Sequence, residues 1–113
     1  MLNTDHQLTV AQQEHATWRE RNFPNQTLYQ AVLGMMEELG ELSHALLKHE
    51  QGIRKMDDAW VAREAIIDAH CDLIIFSFGV AEDLGYDLGI ELQRTWDEVK
   101  QRDWVGDPAE GVA

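Results

Sequence analysis

Residues 65–81 constrain the fold more than any other part of the sequence, because they are apolar on nearly every side of a helix. Such a helix must be enclosed by neighbours, since an exposed helix is polar over about half of its circumference. Two aspartates, Asp68 and Asp72, nevertheless lie inside this stretch, four residues apart and on one helix face. The segment therefore predicts an enclosed helix that carries a pair of carboxylates.

Helical spacing also dominates the rest of the chain, and no segment alternates with period two for long enough to indicate a strand. We predict four helices with short connections. The first helix is expected from Thr9, in a capping box with Gln12, to the residue before Pro24, and the second from Thr27, in a capping box with Gln30, to about Gly52. The third is expected from Asp57 to Leu84, where Gly85 ends it, and the fourth from Asp87 to about Val99.

One all-α, four-helix bundle-like domain accounts for all 113 residues, with its core at about 9–104 and a flexible tail expected at 105–113. Three partner helices cannot readily enclose residues 65–81 on every side. We therefore expect a second copy of the chain to complete the core, in a homodimer or a homotetramer. Trp60, Trp96 and Trp104 are interpreted as packing residues.

The charge balance restricts the partners, since 21 acidic residues face 9 basic ones and the net charge is -12. Such a surface would repel nucleic-acid polymers and anionic membranes. No apolar run is long enough to span a bilayer, and the N-terminus has no signal-peptide pattern. The single cysteine, Cys71, leaves no intrachain disulfide, and we expect a cytoplasmic protein.

The second helix carries the complement of the aspartate pair. Glu38 and Glu41 lie on one of its faces, and Glu37 is four residues from Glu41. Facing Asp68 and Asp72 across a helix pair, these side chains would form a site made only of oxygen ligands. Hard oxygen ligands suit Mg²⁺, for which Mn²⁺ can substitute, rather than zinc.

A simpler interpretation is that each acidic run is a solvated helix face, which is common for a Glu-Glu-x-x-Glu pattern. Burying like charges without a partner costs several kcal/mol, by a rough estimate, and no lysine or arginine lies between Glu64 and Asp83. The coincidence of two acidic clusters on adjacent helices therefore favours a metal site.

These residues resemble the MazG-like family of all-α nucleoside triphosphate pyrophosphohydrolases, whose mark is Glu-Glu-x-x-Glu on one helix and Glu-x-x-Asp on the next. The first half is intact as Glu37, Glu38 and Glu41, and Asp72 matches the second aspartate. The chain departs from the pattern at Ala69, which stands where the family has glutamate. Asp68, one residue earlier on the same helix face, could take that role. The resemblance covers about residues 12–104, and the closing segment 100–104 adds to it.

The resemblance implies hydrolysis of a nucleoside triphosphate substrate to a monophosphate and pyrophosphate. Glu38, Glu41, Asp68 and Asp72 would bind the metal, and Glu37, Glu38 and Glu41 would form the catalytic set, with Glu37 as the candidate that orients the attacking water. Candidate substrate-binding residues are Arg102, Lys100 and Arg54, which would hold phosphate, and Trp18, which together with Phe23 would stack on a base.

Other interpretations remain open at this point. The cationic residues are also compatible with ordinary surface positions, and Trp18 with the core. A non-catalytic module that binds a nucleotide or a metal would use the same carboxylates. A di-iron bundle is the third alternative, since Glu41 and His44 form one Glu-x-x-His motif. That class requires the motif twice, and the sequence has no second copy.

Overall fold

The computed structural model describes residues 4–109, with side chains from residue 7 onward. It contains four helices: α1 (Thr4–Asn22), α2 (Leu28–Gln51), α3 (Ala59–Leu84) and α4 (Leu88–Val99). No strand occurs in the described range, so the predicted all-α class is confirmed. None of these helices is both long and apolar enough to cross a membrane.

Local sequence signals account for most of the helix ends. The Thr27 hydroxyl accepts from the Gln30 amide at 3.2 Å, and the Gln30 side chain accepts from the Thr27 amide at 3.0 Å, which completes the predicted capping box. Gly52 and Gly85 end α2 and α3 with φ of 70° and 77°, a conformation that glycine adopts without steric cost. The predicted cap at Asp87 is also present.

Two predicted helix starts were wrong. The first helix begins at Thr4, and Thr9 lies inside it, where its hydroxyl donates to Asp87 at 2.7 Å. The third helix is capped by Asp58 rather than Asp57, because the Asp58 carboxylate accepts from the amides of Trp60 and Val61 at 2.9 and 3.3 Å. The preceding connection also contains two residues with positive φ, Arg54 and Lys55, so it does not continue into a helix.

The most extensive contact in the structure joins α2 to α3. Alanines supply most of the buried apolar side chains on these two helices, namely Ala31, Ala45, Ala62, Ala69 and Ala81. We call this set the alanine seam. Small side chains allow two helix backbones to approach closely, so residues on the neighbouring faces of α2 and α3 come within electrostatic range of each other.

The first helix packs against both α3 and α4 and is held at the turn between them. The side-chain NH₂ of Gln12 donates to the Tyr86 carbonyl at 2.9 Å, and its side-chain oxygen accepts from the Leu88 backbone amide at 2.8 Å. The sequence had suggested that Gln12 forms a capping box with Thr9, and this prediction was wrong. Gln12 ties α1 to the first turn of α4, whose amide groups have no partner within their own helix.

Burial within one chain is incomplete. No large side chain among residues 7–109 is fully buried, and the exposed apolar residues include Leu33, Met36, Ile74 and Ile75 on α2 and α3. Trp60, Trp96 and Trp104, predicted to pack, are each more than half exposed. The Cα radius of gyration is 17.4 Å, whereas a compact domain of this length has about 13 Å. The four helices therefore leave much of their apolar surface without a partner in the chain itself.

Candidate active site

Three glutamates on α2 form a compact carboxylate cluster. One carboxylate oxygen from each of Glu37, Glu38 and Glu41 lies within 4.8 Å of the others. Helical geometry explains this proximity, because residues three and four apart are neighbours on a helix surface. Glu37 and Glu41 are exposed, whereas Glu38 is buried. The cluster thus extends from the protein interior to the protein surface.

Glu38 is the unusual member of the cluster. Its residue exposure is 8%, and its Oε2 atom has no hydrogen-bond partner among the described residues. Burial raises the pKa of the Glu38 carboxyl above its ordinary value, and the negative charges of Glu41, Asp72, Glu37 and Asp68 raise it further. A carboxylate in this environment needs either a proton or a cation.

The two aspartates of α3 lie near Glu38, as the sequence predicted, but they are not part of the tight cluster. Asp72 is half-buried and shares a cleft with Glu38, while Asp68 is exposed. Both are close enough to contribute to the raised pKa of Glu38. Ala69, at the position where the MazG-like pattern has glutamate, is 2% exposed and belongs to the alanine seam. Its environment suits a methyl group rather than a carboxylate.

The chemistry of the five carboxylates, those of Glu37, Glu38, Glu41, Asp68 and Asp72, indicates which cation they could bind. All five side chains offer only carboxylate oxygens, and no histidine or cysteine joins the cluster within residues 7–109. Hard oxygen donors fit Mg²⁺ or Mn²⁺. The unpaired Oε2 of Glu38 is the one buried side-chain nitrogen or oxygen atom in this range that lacks a partner, and a cation would supply that partner. The residues therefore fit a magnesium or manganese ion.

A cleft of about 370 Å³ opens beside the carboxylates. Trp18, predicted to bind substrate, lines it and is 51% exposed, so it is not a core residue of this chain. Trp18 also contacts Phe23 edge to face, with ring centroids 5.7 Å apart. The complete lining consists of His15, Trp18, Phe23, Gln26, Glu38, Asp72, Ile75 and Phe76. The cleft thus combines aromatic and acidic residues in its lining.

Gly34 on α2 determines where one wall of this cleft lies. A Cβ atom built at Gly34 would overlap the ring carbons of Phe76, whereas a Cβ atom at Gly40, one and a half turns later, meets no atom within 4 Å. Phe76 can therefore lie directly against α2 only because residue 34 has no side chain.

We expect Gly34→Ala to displace Phe76, to lower the free energy of unfolding by about 1–3 kcal/mol and to weaken ligand binding in the cleft. The matched variant Gly40→Ala should instead stabilise the protein by roughly 0.5–1 kcal/mol, because alanine favours a helix interior. Urea denaturation of both variants measures the difference. Equal effects of the two substitutions would contradict the predicted steric role of Gly34.

The predicted phosphate-binding residues do not line this cleft. Lys100 forms an ion pair with Asp97 at 2.8 Å just after α4, and the Arg102 amide donates to the Val99 carbonyl at 3.1 Å. Arg54 lies in the connection between α2 and α3 with φ of 56°. Within one copy of the described chain these three residues are not brought to the carboxylates, and their role in substrate binding stays a prediction.

Sequence reasoning missed a polar network next to the cleft. Arg19 is buried and makes two hydrogen bonds to Asp83, of 2.9 and 2.8 Å. Glu82 is hydrogen-bonded to His15 at 2.7 Å and forms an ion pair with Arg19 at 3.7 Å. The Arg19 interaction holds the pKa of Asp83 below its ordinary value. The spacing of Gln12, His15 and Arg19 would have identified them as one helix face, since their separations are three and four.

No family model, curated protein or solved structure matches this chain. The carboxylates, the cleft and the polar network are therefore the features of this chain that indicate a function.

Proposed function

We propose that this chain is a magnesium-dependent nucleoside triphosphate pyrophosphohydrolase, which hydrolyses a ribo- or deoxyribonucleoside triphosphate to the monophosphate and pyrophosphate. The observation that carries the proposal is the buried carboxylate of Glu38. It has an unpaired oxygen, four acidic neighbours and a position in the wall of an aromatic cleft. The resemblance of Glu37, Glu38, Glu41 and Asp72 to the MazG-like pattern is consistent with this activity.

The carboxylates would divide the work between metal binding and water activation. Glu38, Glu41, Asp68 and Asp72 would hold Mg²⁺ between α2 and α3. When bound, Mg²⁺ supplies neutralisation of triphosphate charge and Lewis-acid activation of water. The exposed Glu37 carboxylate, within 4.8 Å of the Glu38 and Glu41 oxygens, is our candidate for orienting the attacking water and accepting its proton.

The cleft supports the choice of a nucleotide as the ligand. Trp18, Phe23 and Phe76 provide aromatic faces on which a base can stack, and Glu38 and Asp72 lie in the same cleft. A ligand that fills it would have an aromatic part beside a part that approaches metal-binding carboxylates. A nucleoside triphosphate bound as its magnesium complex has both parts.

We also propose that the active form is a homodimer or a homotetramer. Apolar residues on α2 and α3 are exposed in one chain, and the radius of gyration exceeds that of a compact domain of this length. A second copy of α2 and α3 is the partner that matches this surface in chemistry. We expect sedimentation velocity at micromolar concentration to give at least twice the 12.9 kDa mass of the chain. A 12.9 kDa species over the whole concentration range would refute the assembly.

The activity is tested by pyrophosphate release from a panel of ribo- and deoxyribonucleoside triphosphates, with Mg²⁺ and with excess chelator. We expect stoichiometric pyrophosphate and monophosphate with Mg²⁺ and neither product with chelator. Asp72→Asn should abolish release, whereas Asp107→Asn, an exposed aspartate in the segment after α4, serves as the matched control. A folded protein that binds Mg²⁺ but releases no pyrophosphate from any nucleotide would overturn the proposal and favour a non-catalytic binding module.

A further inference from the structure

The buried guanidinium of Arg19 contacts Gln26, which lines the cleft, and Glu82, which is the partner of a second lining residue, His15. Its Nε donates to the Gln26 side-chain oxygen at 2.7 Å, and its Nη1 lies 3.7 Å from Glu82, whose other oxygen is 2.7 Å from His15 Nδ1. His15 and Gln26 both line the cleft, together with Trp18 and Phe23. Arg19 therefore links the two polar, non-acidic residues of the cleft.

The Gln26 amide has a defined orientation because of Arg19. An arginine side chain has donors only, so the group that meets Nε–H must be the amide oxygen of Gln26. The NH₂ group of Gln26 then lies on the other side of the amide carbon and is a hydrogen-bond donor. Among the hydrogen bonds of residues 7–109, none uses this NH₂ group, which is therefore available to a ligand.

The His15 ring has a defined orientation because of Glu82. The carboxylate of Glu82 can only accept, so Nδ1 of His15 carries a hydrogen and Nε2 is the ring nitrogen that remains for a ligand. The ring is also fixed from its sides, since it lies 5.8 Å from the Trp18 ring and 5.7 Å from the Phe78 ring, centroid to centroid. No other group in the described part of the chain is hydrogen-bonded to His15.

We propose that His15 and Gln26 form a pair that reads the edge of a base, and that Arg19 is the positioning residue that orients both. The proposal rests on the proposed nucleotide function and adds a basis for its specificity. The pair offers two polar groups, His15 Nε2 and the Gln26 NH₂ group, in a cleft that Trp18 and Phe23 also line. A nucleobase is the ligand that combines a flat ring with a donor and an acceptor on its edge.

A purely structural network would need only to hold α1 against α3, and Arg19 with Asp83 already does so. The additional hydrogen bond to Gln26 and the ion pair with Glu82 involve a residue of the cleft lining and the hydrogen-bond partner of another, His15. A site whose polar groups pair with a ligand rejects an analogue that lacks the matching groups, because those polar groups then lose their partners. Selectivity among bases is therefore the property that separates the two interpretations.

The test measures Mg²⁺-dependent binding of the α,β-imido triphosphates of adenosine, guanosine, cytidine and uridine by calorimetry. An indole-based analogue, which stacks but lacks the polar edge, and inorganic tripolyphosphate, which has no base, complete the panel. Gln26→Glu preserves the oxygen that Arg19 requires but replaces the donor NH₂ by an acceptor. Gln13→Glu makes the same charge change at an exposed position of α1 outside the cleft.

We expect wild-type protein to bind its best natural base about tenfold or more tightly than the indole analogue. Gln26→Glu should change the ranking of the four bases by more than it changes the affinity for tripolyphosphate, and Gln13→Glu should preserve the wild-type ranking. The comparison with indole needs no variant, so it decides the inference even where Gln26→Glu does not fold.

Equal affinity for indole and every natural base would overturn the base-reading pair, as would an unaltered ranking in folded Gln26→Glu. That failure differs from a failure of the proposed function, which would be the absence of pyrophosphate release with Mg²⁺ from every nucleotide.

Discussion

Glu38→Gln is expected to remove metal-dependent pyrophosphate release and, at the same time, to stabilise the metal-free protein. Turnover should fall by more than about 100-fold, since changes in the outer partners of metal ligands alone reach that size. The free energy of unfolding in chelator at pH 7 should rise by roughly 1–2 kcal/mol, because a buried unpaired charge is replaced by an amide that can donate to the neighbouring carboxylates.

The stability gain should depend on pH in a defined direction. The folded-state pKa of Glu38 lies above its ordinary value of 4.5, so the folded state binds the proton more tightly than the unfolded state does. The metal-free wild type therefore loses stability relative to Glu38→Gln as the pH rises from 4.5 through the folded-state pKa. Well below pH 4.5 the carboxyl is protonated in both states, and the difference between the proteins should be small.

Urea denaturation in chelator across this pH range provides the measurement, and Glu98→Gln, at an exposed position of α4, provides the control. Retained turnover in Glu38→Gln would refute the assignment of Glu38 to the metal. A loss of stability at every pH would show that the carboxylate has a structural partner in the absence of metal.

Arg19→Met is expected to lower the free energy of unfolding by about 3–5 kcal/mol. The substitution leaves Asp83 and Glu82 without the guanidinium that pairs with them, and it also removes the hydrogen bonds to Gln26. The pKa of Asp83 is lowered chiefly by its hydrogen bond to Arg19. Its contribution to stability is therefore present at neutral pH, is lost as the pH falls through the folded-state pKa, and should be absent from the variant.

Arg63→Met is the matched control, because the Arg63–Glu64 ion pair is more than half exposed on both sides. It should cost about 1 kcal/mol or less, even though Arg63 also lies over the Trp60 ring at 5.4 Å. Urea denaturation at pH 7 compares the two variants. A loss at Arg19 no greater than the loss at Arg63 would mean that the buried network contributes little to the fold.

Sequence rules predicted the parts of the fold that depend on near neighbours. The Thr27 capping box and the glycine stops at Gly52 and Gly85 involve residues within a few positions of each other, so their patterns are visible in the chain. Thr9 and Gln12 show where such rules end. They have the pattern of a capping box, but their actual partners, Asp87 and residues beside it, are more than 70 positions away.

The same distinction applies to the site. The separation of Glu37, Glu38 and Glu41 predicted one cluster, and the structure has that cluster. The polar network could not be predicted from spacing alone, because Arg19 on α1 pairs with residues near the end of α3, 64 positions away. Burial also distinguishes residues that spacing cannot, since Glu38 is buried while its neighbours Glu37 and Glu41 are exposed.

The alanine seam also has a consequence for the size of the ion that the carboxylates can bind. Mg²⁺ requires oxygen atoms at about 2.0–2.1 Å in near-octahedral geometry, whereas Ca²⁺ accepts them at about 2.3–2.6 Å in a looser arrangement. The separation between carboxylates on α2 and those on α3 depends on how closely the helices approach, and small buried side chains such as Ala45, Ala62 and Ala69 permit a close approach. If the proposed function holds, side chains that bind no ion would thus influence whether the carboxylates prefer Mg²⁺ or Ca²⁺. A larger residue in the alanine seam would shift the preference towards Ca²⁺.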